Sequence, residues 1–127
     1  MQVQGKRKIL AVVEDLFFTV KISDAAKRAG FEVTYVKTEE DAVAKAAELP
    51  SLMILDLNLS RIDPVGLIQK IKSDPVLSEI SLLAYVSHVQ GELKQKAQHA
   101  GCDIVLAKSA FSTNLQQILK RHAGLVA

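Results

Sequence analysis

The sequence predicts an α/β fold: a doubly wound, five-stranded parallel sheet in the order 2-1-3-4-5, with five helices. Three observations predict it. Five short apolar runs recur along the 127 residues. Each run is followed by a segment with helical periodicity. Runs one, three and four are apolar almost throughout, as strands covered on both faces of a parallel sheet are. Strict alternation of strand and helix requires right-handed crossovers, and for five strands the common order is 2-1-3-4-5.

The runs fall at residues 9–13, 31–36, 52–55, 80–86 and 104–107. Their shortness and β-branched content favour strands. The first helical segment places Phe18, Ile22, Ala25, Ala26 and Ala29 on one face, and Gly30 supplies its stop. Thr38 is the N-cap of the second, followed by Glu39, Glu40 and Asp41, with Ala42, Val43, Ala46 and Ala47 as the buried stripe. Asp63 caps the third, with Pro64 at its first position and Leu67, Ile68 and Ile71 inward; Ser73-Asp74-Pro75 ends it. The fourth spans 91–100, with Leu93, Ala97 and Ala100 inward and Gly101 as its stop. The last carries Leu115, Ile118 and Leu119, capped by Ser112 or Thr113.

Composition sets the limits. Hydrophobic residues make up 49% and charged residues 24%, which excludes a disordered chain. The length predicts a single domain over 1–127, with its core at about 8–122. Sixteen basic against fourteen acidic residues leave a net charge of +2, too little for a direct nucleic-acid partner. Lys6-Arg7-Lys8 reads as a solvated tail. No apolar run approaches membrane-spanning length, and residues 9–13 are too short for a secretory signal. Cys102 is alone, which excludes an internal disulfide and fits a cytoplasmic location and a packing role. His88, His99 and His122 lack metal-ligand spacing, Ser87-His88 is not arranged as a nucleophile pair, and no glycine-rich phosphate cradle follows a strand.

Chemistry is expected where open α/β sheets place it, outside the carboxyl ends of the strands at the switch in strand order. There the sequence sets Glu14 and Asp15 after run one, Asp56 after run three, Val86 and Ser87 after run four, and Lys108 after run five. Crowded carboxylates repel and raise one another's pKa, a conflict that a hard cation such as Mg²⁺ resolves. A carboxylate beside Mg²⁺ and a lysine is equipped to accept a phosphoryl group as an aspartyl-phosphate.

These residues resemble the receiver domain of bacterial response regulators, the flavodoxin-like fold of the chemotaxis response regulator. The resemblance covers about residues 8–122. Residues 50–56 (PSLMILD) are similar to the stretch that leads to the family's phosphoacceptor aspartate, and Gly101-Cys102-Asp103 to the motif before its fifth strand. Val86 and Lys108 lie 30 and 52 positions after Asp56, the family spacing of aspartate, switch hydroxyl and lysine. The resemblance implies a two-component phosphorelay protein rather than an enzyme. Asp56 takes phosphate from a histidine kinase or phosphotransfer protein and passes the signal to a downstream protein target. Mg²⁺ is held by Glu14, Asp15, Asp56 and the Asn58 backbone carbonyl. The acidic pair reads as Glu14-Asp15; counting back from Gly30 without a gap puts Val13 and Glu14 there instead. Departures are equally clear. The switch hydroxyl position is Val86, with Ser87 one place later; the aromatic switch position is Val105; and Ser109 replaces the proline after the lysine. These departures leave an alternative on the same scaffold: a phosphorylation-independent pseudo-receiver that acts as a protein-protein interaction module.

Overall fold

The apolar runs pair into one sheet. A computed structural model describes residues 7–87 and 91–122; Lys6 and His88, named above, lie outside them. The elements are β1 (Arg7–Val12), α1 (Leu16–Ala29), β2 (Phe31–Val36), α2 (Glu39–Ala46), β3 (Leu52–Asp56), α3 (Pro64–Ser73), a 3₁₀ turn (Leu77–Glu79), β4 (Ser81–Val86), α4 (Gly91–His99), β5 (Ile104–Ala107) and α5 (Lys108–His122). The strands pair in parallel in the order β2-β1-β3-β4-β5, as the alternation predicts.

Strand alternation sends successive side chains to opposite faces. Ile9, Ala11, Leu52, Ile54, Leu83 and Tyr85 pack under α1 and α5, against Phe18, Ile22, Phe111 and Leu115. Leu10, Val12, Met53, Leu55, Leu82, Ala84 and Val86 pack under α2, α3 and α4, against Ala42, Leu67, Ile68, Ile71 and Ala97. Each large side chain fully buried this way contributes about 1.5–3 kcal/mol.

The caps form as the sequence predicts. Thr38 Oγ1 accepts the Asp41 N–H at 3.0 Å, and Asp63 Oδ1 accepts the Gly66 N–H at 3.1 Å. Gly30 ends α1 with φ of 83°, a left-handed conformation that disfavours a side chain.

Four expectations at element ends change. Arg7 and Lys8 are not a solvated tail but the first rungs of β1, paired with Phe31 and Glu32, although both side chains stay exposed. Val13 leaves the strand yet is buried. Ala47 is exposed because α2 ends one residue earlier. The last helix starts at Lys108, directly from β5, so neither Ser112 nor Thr113 caps it. The reason is Phe111: its full burial against Tyr85 and Phe18 requires a helical first turn. Ser112 Oγ instead accepts a hydrogen bond from Lys21 Nζ at 2.6 Å.

Candidate functional site

Asp56 is the last residue of β3 and 9% exposed, the one buried polar or charged side chain among the described residues. Alternation from Leu52 and Ile54 directs it to the α1/α5 face. Its Oδ1 accepts the Asn58 N–H at 2.8 Å. Burial raises its pKa above the usual carboxylate value, and the negative charges of Asp15 and Glu14 add to this; the Asn58 N–H and the Lys108 charge oppose it.

The β1–α1 turn supplies the neighbouring acids. The β1–β3 register ends at Val12 opposite Leu55, so Val13 comes level with Asp56 and Glu14 and Asp15 follow. Val13 packs among the core residues of the α1/α5 face. Glu14 is half-buried and faces Arg61, Nε to Oε2 at 3.6 Å. Asp15 is also the N-cap of α1, as an acid placed just before a helix often is. Its Oδ1 accepts the N–H groups of Phe17 at 2.8 Å and Phe18 at 3.4 Å. Its Oδ2 accepts Lys108 Nζ at 3.2 Å. Burial pushes the Asp15 carboxyl up, but the bonds from Lys108 and the two N–H groups outweigh it and hold the pKa below the usual value.

Lys108, at the start of α5, completes the cluster. Its ammonium lies 4.6 Å from the centroid of the Phe18 ring, a cation–π contact, while it bonds Asp15. The structure thus brings Glu14, Asp15, Asp56 and Lys108 to one rim. Both Asp15 oxygens are committed elsewhere, and among the described residues no group of three or more His, Cys, Asp and Glu side chains is placed to hold a metal ion.

The switch positions are placed by strand alternation. Val86 and Val105 are buried on the α2/α3/α4 face, away from the Asp56 side chain. Ser87 is exposed, and its N–H donates to Asn58 Oδ1 at 2.7 Å, tying the end of β4 to the residue two beyond Asp56. The sequence reading missed Tyr85, which pairs in register with Asp56 and is fully buried. Its position in an apolar run signalled only core.

Comparison with known proteins adds to this geometry. No family model matches the chain. The sequence is 27% identical over 110 residues to a probable chemotaxis protein CheY of Rhizobium etli, covering 85% of each. Its fold matches the phosphorylated cyanobacterial phytochrome response regulator RcpA with a TM-score of 0.77, 25% identity and coverage of 92% and 91%. The chain has the fold of a CheY-like response regulator receiver domain. The receiver domain of the sensor histidine kinase PA1611 of Pseudomonas aeruginosa, with magnesium coordinated in its active site cleft, matches with a TM-score of 0.79, 24% identity and coverage of 95% and 100%. Among the described residues of the chain no helix is long and apolar enough to cross a membrane.

Proposed function

We propose that this receiver domain accepts a phosphoryl group on Asp56 in a two-component phosphorelay, donated by a histidine kinase or phosphotransfer protein and read by a downstream protein target. The observation that carries the reading is the placement of Asp56. A buried carboxylate stands at a strand end, at the switch in strand order, with two further acids and one ammonium within electrostatic reach. Such a group is costly unless it is used.

The chemistry is a transfer between nucleophiles. An Asp56 carboxylate oxygen attacks the phosphorus of a phosphohistidine. The new P–O bond forms as the P–N bond breaks, and the imidazole leaves with the bonding pair and takes up a proton. Lys108, moving from Asp15 Oδ2 toward the incoming phosphoryl oxygens, supplies a positive point charge at the place where negative charge gathers.

The residues fit Mg²⁺ as a partner of this site. Asp56 carries two neighbouring negative charges that the Lys108 charge and the Asn58 N–H oppose, and Glu14 pairs with the largely exposed Arg61 side chain. Glu14, Asp56 and the Asn58 backbone carbonyl would hold the ion, with waters completing the shell as Mg²⁺ prefers. When bound, it neutralises phosphoryl charge and helps to align the transfer. Asp15 serves by positioning Lys108 and the start of α1. Incubation with acetyl phosphate tests the reading: wild type should be phosphorylated only when Mg²⁺ is present, and Asp56→Asn not at all. Labelling that ignores Mg²⁺ or survives Asp56→Asn contradicts it. Lack of any label favours the interaction module.

A further inference from the structure

Tyr85 carries a group that neither the core nor the site described so far uses. Its ring is fully buried, stacked on Phe111 at 4.7 Å between centroids and tilted against Phe18 at 5.2 Å. Its hydroxyl has no hydrogen-bond partner among the described residues. An unpartnered buried hydroxyl is unfavourable, and a phenylalanine would give the same ring contacts without it. The place of the hydroxyl is informative. Tyr85 pairs with Asp56 across the β3–β4 ladder, and alternation puts both side chains on the α1/α5 face. Burial raises the pKa of the phenol, and the negative charges of Asp56 and Asp15 add to this, so it stays protonated. It is therefore a donor and not an acceptor toward anions.

The donor expected on this strand is absent. Val86 has no hydroxyl and points to the opposite face. We propose that the Tyr85 hydroxyl is the β4 hydrogen-bond donor to an anionic oxygen added at Asp56, taking the place of the hydroxyl missing at Val86. The proposal rests on Asp56 being the phosphoacceptor. The phosphoryl oxygen accepts, and the Tyr85 O–H donates. The aromatic wedge of Phe18 and Phe111 holds the phenol in place, so the bond forms without moving β4.

Two tyrosines and no tryptophan make the test clean. Tyr35 is already hydrogen-bonded, to Ser23 Oγ at 2.6 Å and to the Thr19 carbonyl at 2.8 Å. In a Tyr35→Phe background the near-ultraviolet tyrosine band reports Tyr85 alone. Beryllofluoride with Mg²⁺, a mimic of the phosphoryl group, should shift that band to longer wavelength, as donation to an anion does. Tyr85→Phe should weaken beryllofluoride binding about tenfold, the scale of one hydrogen bond to a charged acceptor. Its thermal unfolding midpoint should be equal to or above that of wild type, because no native hydrogen bond is lost. Equal affinity in wild type and Tyr85→Phe, with no band shift, overturns the role of Tyr85 while leaving Asp56 as phosphoacceptor. Failure of beryllofluoride to bind wild type overturns both.

Discussion

Lys108 Nζ bonds Asp15 Oδ2 at 3.2 Å, across 93 positions of sequence, and so ties the first residue of α5 to the N-cap of α1. One side chain thus serves helix, ion pair and site together. Substitutions separate these roles. Asp15→Asn keeps an N-cap acceptor and loses the charge; Asp15→Ala loses both. Asp15→Ala should cost about 1 kcal/mol more than Asp15→Asn in chemical denaturation. Equal costs would show that the cap contributes nothing. The folded pKa of Asp15 lies below its ordinary value of 3.8, so its contribution is present above that pH and is lost as pH falls through the folded value.

Lys108→Ala should leave the fold nearly intact, costing at most about 1 kcal/mol, because the pair it breaks is partly solvated. It should nonetheless abolish most of the response to phosphorylation, read as the difference in amide spectra between labelled and unlabelled protein. A full response in the variant would place Lys108 outside the site.

Lys72 is a structural lysine. Its ammonium, on a side chain only 16% exposed, donates to the carbonyls of Ser78 at 3.1 Å and Ile80 at 2.7 Å and pairs with Asp103 at 2.9 Å. Asp103 in turn accepts the Leu82 N–H at 2.7 Å. Lys72→Met should destabilise by about 2 kcal/mol, since it strips charged donors from partly buried acceptors. A urea midpoint like that of wild type would refute this.

The conformational response should be small. Val86 offers no hydroxyl and faces away from Asp56. A bond from the Tyr85 hydroxyl, already held in place, is worth about 1.5–3 kcal/mol and draws no strand inward, whereas a full two-state swing needs about 5.5 kcal/mol. Amide shifts caused by beryllofluoride should stay near Asp56 and Tyr85. Val86→Thr should lower stability by about 1–2 kcal/mol, placing a hydroxyl in an apolar cluster, and should not enlarge the response. Large shifts through β4 and β5 in wild type would contradict the muted switch.

Burial pushes the Cys102 thiol up from 9.0 to about 11. In the folded protein it should resist alkylation at pH 8.5, while urea-unfolded protein reacts quickly. The sign of the linkage follows. The folded state holds this proton more tightly, so stability is intact below pH 9.0 and falls as pH rises from there to about 11. Rapid native-state alkylation would contradict the burial.

Much of this was legible in the sequence, for identifiable reasons. Phe31–Val36 and Ile104–Ala107 match their apolar runs residue for residue because turn and cap residues bound them. Thr38 and Asp63-Pro64 are local signals, set by side chains one turn away, and hold as read. Asp56 and Lys108 meet on one rim because strand order alone brings strand ends together. What escaped was non-local. Asp15 is an acid at a strand end and also a helix cap, and only three-dimensional placement shows that both oxygens are taken. The start of α5 is set by Phe111 wedging against Tyr85, a contact between segments far apart in sequence. Tyr85 itself looked like one more core residue until its hydroxyl was seen without a partner among the described residues.

Every role proposed for the rim follows from Asp56 taking the phosphoryl group. Radiolabelled acetyl phosphate with Mg²⁺, followed by proteolysis and identification of the labelled peptide, tests it most directly. Label should be confined to the peptide that carries Asp56, depend on Mg²⁺ and be lost in Asp56→Asn. Label on another peptide, or an unlabelled wild type under conditions that label a known receiver domain, would contradict it.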